Sequence, residues 1–417
     1  MPTSSSQAKA ALDGITVIDL SRILAGPWAS QMLADFGARV IKVERLNTGD
    51  DTRHWGPPFI KTAQTKRTNE GEQSPQSAYF HSVNRNKQSI AVDITTVEGQ
   101  VIIKDLIAKA DVLIENYKVG GLKKYGLDYA TLKEINPEII YCSITGFGQT
   151  GPYAHKPGYD AMIQGEGGLM SLTGEVDGEP LKVGVAVVDI MTGLYACNAV
   201  LAALMSRHET ATGQYIDLAL LDVQVATLAN QGMNYLTTGE NPQRLGNQHP
   251  NIVPYQCFAT SDGSLILAIG NDQQFQRFCV LCELEHLAQD TKYQKNQHRV
   301  INRSSLIPVI ASKIAAQTTS WWVEKLEQVS VPSGPVNTLD DVFNHPQIKH
   351  REMVKNIPTR DKEFVKTIAS PINMSSTPLQ YKTASPELGQ DSKEILADYL
   401  GYDENSIESF FDKKVVG

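Results

Sequence analysis

The sequence predicts an α/β fold: a large domain with a mostly parallel sheet covered by helices, plus a smaller α+β domain. The first observation is that short apolar strands alternate with helical segments over the first half of the chain, which is typical of parallel sheets buried on both faces. The second is a change of pattern after residue 246, where two strands joined by a turn precede a helix-rich stretch.

Strands are expected where a short apolar run is bounded by turn or helix signals. The helices between them also carry signals: in 95–110, Thr95 with Glu98 fits a capping box. A short helix is expected near 129–135, and the polar stretch 60–76 is expected to be a surface insertion. The predicted strands are ITVIDL (15–20), RVIKVE (39–44), SIAVDI (89–94), DVLIEN (111–116) and EIIYCSIT (138–145).

These elements suggest how the domains divide along the chain. We expect residues 1–210 to form the N-terminal part of the large domain and 211–235 to form a linker with a helix. Residues 236–330 would then be the small α+β domain, and 331–417 would return to the large domain.

Composition excludes several classes of protein. The net charge of −8 over 417 residues argues against a nucleic-acid partner, which usually requires a basic excess. We expect no membrane partner, because no stretch approaches the roughly 18–20 apolar residues needed to span a bilayer. The polar start MPTSSSQAKAALDG and the five cysteines among apolar neighbours favour a cytoplasmic protein with free thiols.

Two short motifs are better explained by structure than by cofactor binding. GFGQTG (146–151) matches a dinucleotide fingerprint, but Pro152, Pro157 and Gly158 follow it, so a turn is favoured over a nucleotide-binding helix. The C-x-x-C at Cys279 and Cys282 has no second ligand pair, so core packing is expected and no metal site is predicted.

The stretch VGVAVVDIMTGLYA (183–196) places Asp189 where an apolar run meets a helical pattern. Asp is a preferred N-cap residue, so capping is the simplest explanation. A functional role is compatible with it, because the helix dipole would keep the carboxylate ionised at the edge where ligands of parallel sheets bind. Basic residues near other strand ends could hold phosphates of a nucleotide-bearing ligand.

Taken together, several blocks resemble the family III CoA-transferases (the CaiB/BaiF family). They include LDGITVIDLSRILAGPWASQMLADFGARVIKVE, NRNKQSIAVDI, DVLIENYKVGGLKKYGLDY, VVDIMTGLYA and VPSGPVNTLDDVF. GDDTRHWGPPF and GNDQQF are most similar to the branch that uses succinyl-CoA and glutarate. The resemblance implies a Rossmann-like large domain, an interlaced homodimer, CoA as co-substrate and no permanently bound cofactor.

The resemblance also implies that Asp189 is the catalytic nucleophile. Its carboxylate would attack an acyl-CoA thioester and then carry CoA as an aspartyl thioester until an acceptor acid takes it. The glycines of QGEGG (164–168) and the loop GNQH (246–249) are candidate oxyanion donors, and Gly246, Asn247, Gln248 and His249 match a flexible active-site loop of the family. The implied CoA-binding residues are Leu24, Ala25, Arg45, Val92, Asp93, Ile94, Thr95, Asn116, Tyr117, Lys124, Pro157, Gly158, Tyr159 and Asp160.

The predicted reaction is CoA transfer from succinyl-CoA to a dicarboxylic acid such as glutarate. The alternatives are a 2-methylacyl-CoA racemase, an acyl-CoA hydrolase or a CoA-binding protein without turnover. Tyr159 stands where racemases carry a histidine, and a phenol with an ordinary pKa near 10 is a poor proton carrier at neutral pH. Arg85 is the first candidate to hold the acceptor's far carboxylate and His249 the second, although Arg85 could equally pack against CoA or a neighbouring chain.

Overall fold

A computed structural model describes residues 9–60 and 76–417. The chain divides into two compact units, which we call the large unit and the small unit. The large unit comprises Met1–Gly168, Val183–Gly232 and Arg351–Gly417, and the small unit comprises Leu169–Lys182 and Met233–His350. Nearly all of the predicted insertion at 60–76 lies outside the described residues.

The large unit contains a six-stranded sheet in which every pairing is parallel, so the predicted parallel sheet is confirmed. Its strand order is β3-β2-β1-β4-β5-β6, which reverses direction between β1 and β4. Ligands of such sheets bind at the carboxyl ends of the strands near that reversal. The strands are β1 Thr16–Asp19, β2 Arg39–Glu44, β3 Lys87–Ala91, β4 Val112–Glu115, β5 Ile140–Thr145 and β6 Tyr215–Ala219.

The helices of the large unit cover both faces of this sheet. They are α1 Ala25–Asp35, α2 Ala78–His81, α3 Val97–Ala108, α4 Tyr129–Ile135, α5 Asp160–Glu166, α7 Val187–Thr210, α8 Leu220–Ala226, α17 Ser392–Glu394 and α18 Glu404–Asp412. The described part of this unit also contains two 3₁₀ turns, Asp51–His54 and Lys123–Tyr125, and a π-helix, Ile395–Leu400. A hairpin, β10 Val354–Pro358 with β11 Phe364–Ile368, follows the return of the chain.

Alternation along the strands explains the two apolar cores. Ile18 faces a core formed with α3, α4 and the C-terminal segment, whereas its neighbour Val17 faces a core formed with α1 and α7. Both residues are fully buried, as expected for strands covered on both faces.

Two local predictions are wrong. Helix α3 is capped by Thr96, which accepts from the Gly99 amide at 3.0 Å, because the Thr95 hydroxyl donates to Asp93 at 2.6 Å instead. Strand β3 spans Lys87–Ala91 rather than 89–94. It begins earlier because Lys87 is buried in an ion pair with Asp19 at 3.0 Å, a contact that a search for apolar runs misses.

The small unit is α+β. Its antiparallel sheet has the order β7-β8-β9, and β9 pairs with β8, so residues beyond 331 still belong to this unit and the chain returns at 351. Its elements are α6 Leu169–Leu172, α9 Ala229–Thr238 (which spans the boundary), β7 Tyr255–Ala259, β8 Ser264–Ala268, α10 Asp272–Leu281, α11 Glu285–Gln289, α12 Asn296–Ile301, α13 Arg303–Ile314, α14 Thr319–Gln328, β9 Ser333–Pro335, α15 Leu339–Asn344 and α16 Pro346–His350.

Helix α7 corrects the expectation that no segment is apolar enough to cross a membrane. Its 24 residues have a mean hydropathy of 1.7 over the most apolar window. The same property suits a core helix, and α7 packs closely on α1: a Cβ placed on Gly193 would lie 2.8 Å from the Ala25 carbonyl oxygen.

Candidate active site around Asp189

Asp189 lies in the first turn of α7 but does not cap it. The N-cap is Ala186, and the preceding residues are irregular rather than a strand. Asp160 does the capping: its Oδ1 accepts from the Val188 amide at 2.8 Å and from the Asp189 amide at 3.3 Å. The predicted capping role of Asp189 is therefore wrong, and its own carboxylate is left for other contacts.

A second side chain, Gln164, fixes Asp160 and the segment that leads into this turn. The Gln164 amide nitrogen donates to Asp160 Oδ2 at 2.6 Å, and its Oε1 accepts from the Val183 amide at 2.8 Å. Asp160 and Gln164 lie one turn apart in α5, so this short helix holds the entry to α7 at two points. Both contacts lie inside the large unit.

The electrostatics of Asp189 differ from the sequence-based expectation. Burial, with the nearby charge of Asp160, raises the pKa of Asp189 to about 7, whereas a helix dipole alone would have lowered it. A carboxyl group with such a pKa is partly ionised at neutral pH. Its ionised form is less stabilised by water than an exposed carboxylate and is correspondingly more basic.

Tyr79 in α2 is a site residue that sequence reasoning missed. Burial raises the pKa of Tyr79 to about 12, and the charges of Asp189 and Asp160 add to the effect, so its hydroxyl lies within electrostatic range of both carboxylates and stays a hydrogen-bond donor. Trp55 packs edge-on against it, with ring centroids 5.4 Å apart. No local motif in YFH distinguishes this tyrosine from a core residue.

Two of the predicted CoA contacts lie where the loop after β1 meets α1: Leu24 is the N-cap and Ala25 the first residue of the helix, and both are buried. Ile23 adopts φ +73, which is unfavourable for a β-branched residue, and its amide donates to the Asp50 carboxylate at 3.3 Å. Asn116 uses its amide group on Arg22, accepting from the backbone N–H at 2.9 Å and donating to the carbonyl at 2.7 Å. Asn116 therefore positions this loop.

Cations and an aromatic ring meet beside that loop. Arg45 and Arg22 both contact Asp51, at 2.5 and 2.6 Å, and both guanidinium groups remain half-exposed. Arg22 also lies 5.9 Å from the centroid of the Tyr117 ring. Sequence reasoning missed Arg22, although the structure brings it together with the predicted residues Arg45, Asn116 and Tyr117.

Other predicted CoA residues directly follow β3, and Lys124 lies in the 3₁₀ turn that comes after β4. Residues 92–95 follow β3, where Asp93 accepts from the Thr95 amide at 2.9 Å and Ile94 packs on the α3-side core. The Val92 amide donates to the Glu44 carbonyl at the end of β2. Lys124 lies 4.6 Å from the centroid of the Tyr125 ring.

The GFGQTG turn approaches Pro157–Asp160 through two glycines. A Cβ on Gly146 would lie 2.5 Å from the Gly158 Cα, and a Cβ on Gly158 would lie 2.3 Å from the Gly146 Cα. No helix follows Gly151 before Asp160, so the preference for a turn is confirmed. Gly146, the first glycine of this turn, allows the close contact with Gly158, and α5 begins two residues later at Asp160.

Some expected contacts are engaged elsewhere. In QGEGG, the Gly167 and Gly168 amides donate to the Ile163 and Gly165 carbonyls at 2.7 and 3.2 Å, which removes them as oxyanion donors. Arg85 is buried, and its guanidinium donates to the Asp35 carboxylate from Nε at 2.9 Å and from Nη2 at 2.5 Å. It is therefore committed to a core ion pair.

Residues 246–249 belong to the small unit. The Gly246 amide donates to the Gly174 carbonyl at 3.1 Å, and Arg303 donates to the His249 carbonyl at 3.2 Å. His249 Nδ1 accepts from the Asn251 amide at 3.1 Å, and burial, with the charge of Arg303, lowers the pKa of His249. It is thus neutral at pH 7, which does not suit the role of a carboxylate-binding cation.

The geometry defines a class of site: a carboxylate of raised pKa at a helix start, in a parallel-sheet unit whose strand ends present arginines suited to a phosphorylated ligand. Within the described ranges no acidic, histidine or cysteine residues cluster as metal ligands would. The family model for CoA-transferase family III matches residues 12–392. The chain belongs to this family and is a CoA-transferase.

Individual relatives cover nearly the whole chain. A succinate–glutarate CoA-transferase of Agrobacterium fabrum is 48% identical over 95% of this chain and 97% of its own length. The succinyl-CoA:glutarate CoA-transferase of Mus musculus is 43% identical over 100% of this chain and 92% of its own. A crystal structure of a CaiB/BaiF family protein from Brucella suis is 48% identical, covers 94% of this chain and all of its own, and has a TM-score of 0.82.

Proposed function

We propose that this protein transfers CoA from succinyl-CoA to glutarate through a covalent intermediate on Asp189. The observation that carries the mechanism is the placement of this carboxylate: it is partly buried, its pKa is near neutrality, and its own helix is capped by another residue. The substrate pair is supported by relatives of 43–48% identity that are named for succinate and glutarate.

The proposed reaction balances without an external oxidant or reductant. The Asp189 carboxylate attacks the thioester carbonyl of succinyl-CoA and expels CoA thiolate, leaving a mixed anhydride. The thiolate attacks the aspartyl carbonyl, which gives an aspartyl-CoA thioester and free succinate. Glutarate then attacks this thioester and releases the thiolate, which finally attacks the glutaryl carbonyl of the new anhydride. Glutaryl-CoA leaves and the Asp189 carboxylate is restored.

The surrounding residues support this role in different ways. Asp160 fixes the backbone of the first turn and Gln164 fixes Asp160 and the segment before the turn, so the carboxylate is presented in one orientation. The Tyr79 hydroxyl is a neutral donor that can stabilise the oxyanion of a tetrahedral intermediate. Arg22 and Arg45 are the proposed phosphate partners of CoA, with Leu24, Ala25 and Tyr117 beside them.

Replacement of Asp189 tests the proposal. Asp189→Ala and Asp189→Asn should lose transfer activity, and neither should give an aspartyl-CoA adduct by mass spectrometry after incubation with succinyl-CoA. The matched control is Asp222→Asn, because Asp222 also lies in the first turn of a helix, α8, and is exposed. Wild-type rates of CoA exchange in Asp189→Ala would refute the nucleophile.

An interlaced homodimer and a cytoplasmic location belong to the same proposal. Tyr195, Met205 and Val225 of the large unit are 45%, 74% and 55% exposed, and exposed apolar side chains of this kind favour a covering partner. The five free cysteines, four of them buried, suit a reducing compartment. Light scattering at micromolar concentration tests the dimer, and a monomer's mass would contradict it.

A further inference from the structure

A cavity of about 420 Å³ opens at the amino ends of β1, β2 and β3. We call it the amino-edge cavity. It lies at the opposite end of the strands from the loops that carry Asp50 and Tyr79, and the proposed reaction does not use it. Its lining is Asp13, Gly14, Ile15, Thr16, Ala34, Gly37, Ala38, Arg39, Val40, Asn86, Gln88, Lys382 and Tyr399.

Arg39 is held in one orientation within this cavity. Its Nε donates to Gln88 Oε1 at 2.8 Å, and its guanidinium carbon lies 4.4 Å from the centroid of the Tyr399 ring. Tyr399 is fixed in turn, because its hydroxyl donates to the Lys109 carbonyl at 2.9 Å and the Lys109 ammonium donates back to the Tyr399 carbonyl at 2.7 Å. These contacts leave the two terminal nitrogens of Arg39 without a hydrogen bond to any part of the chain that the structure describes.

The charges around the cavity favour an anion. Within residues 9–60 and 76–417, neither Arg39 nor Lys382 forms an ion pair, and Lys109 adds a third cation 5.7 Å from the Tyr399 ring centroid. The nearby carboxylates also lie close to other cations, although burial raises the pKa of the Asp391 carboxyl group and the charge of Arg39 still acts on it against that effect. Asp111 contacts Arg207 at 2.6 Å, Asp391 contacts Arg360 at 3.5 Å, and Asp13 at the rim lies 3.9 Å from Lys9.

We propose that the amino-edge cavity binds a small organic molecule through a carboxylate or phosphate group. The terminal nitrogens of Arg39 form the fork that accepts two oxygens of such a group, and Lys382 supplies a second charge. Ile15, Ala34, Ala38 and Val40 give the rest of the cavity an apolar wall for the ligand's carbon skeleton. The volume falls within the range of roughly 300–1,000 Å³ found for small-molecule sites.

The test is binding to the full-length protein, with inorganic phosphate and glutarate as the two probes. Isothermal titration should give saturable binding of at least one probe, which identifies the anion type. Hydrogen exchange of peptides covering residues 34–40 and 396–402 should slow when that probe is added. In Arg39→Gln/Lys382→Gln the affinity should fall by about tenfold or more, and the protection should disappear.

A matched pair of substitutions controls for net charge: Lys349→Gln/Arg351→Gln removes two exposed cations elsewhere and should leave affinity and protection unchanged. If the double variant is unstable, Lys382→Gln alone is the substitute, because it retains the Arg39 contacts. Its affinity for the anion should then be severalfold weaker than that of the wild type. The proposal is overturned if neither probe protects these peptides, or if Arg39→Gln/Lys382→Gln binds as the wild type does. Arg39→Gln/Lys382→Gln should still form the aspartyl adduct at the wild-type rate. A loss of anion binding can then be distinguished from a failure of the proposed transfer reaction.

Discussion

Two carboxylates at the start of α7 have different roles. Asp160 accepts backbone amides and is thereby fixed, whereas Asp189 has its pKa raised to about 7 by burial and by the charge of Asp160. The proposed nucleophile is thus more basic than an ordinary carboxylate, but only part of its population is ionised at neutral pH. Groups tuned in this way are concentrated at functional sites.

The pH dependence of adduct formation follows from these groups. Attack requires the ionised form of Asp189, so the rate of CoA release from succinyl-CoA should rise as the pH increases through about 7. Asp160→Asn removes the neighbouring charge, so the pKa of Asp189 should fall and the rising limb should move to lower pH. Rapid-quench measurements over a pH series check both, with Asp222→Asn as the control. If the pH at which the rate rises is the same in Asp160→Asn as in the wild type, burial alone raises the pKa of Asp189.

The ion pair between Arg85 and Asp35 predicts a loss of stability rather than of substrate affinity. Burial raises the pKa of Asp35 even beside Arg85, so removing the guanidinium leaves a buried carboxyl group whose remaining side-chain donor is the Asn86 amide at 2.9 Å. Arg85→Met should cost roughly 3–5 kcal/mol, measured as a lower thermal midpoint. The KM for glutarate should be unchanged in the folded fraction, and a large rise in that KM would return Arg85 to the acceptor site.

At the level of elements, the start of α7 depends on a cap from another helix. The chain supplies no side-chain cap locally, and α5 begins at Asp160 immediately after the close approach of Gly158 to Gly146. The order of these short segments therefore determines where the turn that carries Asp189 lies.

Removal of that cap should loosen the first turn of α7. Asp160→Ala leaves the Val188 and Asp189 amides without an acceptor, which should cost about 1–2 kcal/mol and speed hydrogen exchange in peptides covering 183–195. Asp160→Asn keeps a carbonyl oxygen and should restore most of the protection. Thr338→Ala, which removes the capping box of α15 in the small unit, is the control and should leave these peptides unchanged.

At the level of the whole molecule, the C-terminal segment completes the large unit. The Asp391 amide donates to Ser89 and the Gly417 amide donates to Ala91. Ile395, Leu396 and Val416 belong to the same apolar core as Ile90 and Ile102. The edge strand β3 and the adjoining part of one sheet face are therefore covered by the last residues of the chain.

Deletion of residues 388–417 should consequently unfold the large unit. The loss of several buried aliphatic side chains, each contributing roughly 1.5–3 kcal/mol, exceeds the usual margin of stability. Limited proteolysis should cleave the truncated protein within the sheet while sparing the small unit. Addition of the 388–417 segment as a separate peptide should restore protection, and a protease-resistant sheet without it would contradict the prediction.

The sequence was sufficient for elements whose evidence is local. The strand 39–44 and the helix 129–135 have the predicted bounds, because period and flanking residues alone define them. The cap of α7 was missed because Asp160 is 29 residues from Asp189 in the chain. The return of the chain to the large unit at residue 351 was missed because it depends on the pairing of β9 with β8. The ion pair of Arg85 was missed because its partner, Asp35, is 50 residues away in the chain.

The late position of the covering segment also affects biosynthesis. All six strands of the large sheet, together with α3 and α4, have been translated once residue 219 is reached, but the part of this core that residues 395–416 cover stays open until the end of the chain. At about 5–20 residues per second, the interval is roughly 10–40 s. During that interval we expect the apolar side chains beside β3, among them Ile90, to be exposed in the nascent polypeptide, which favours binding of chaperones that recognise apolar surface.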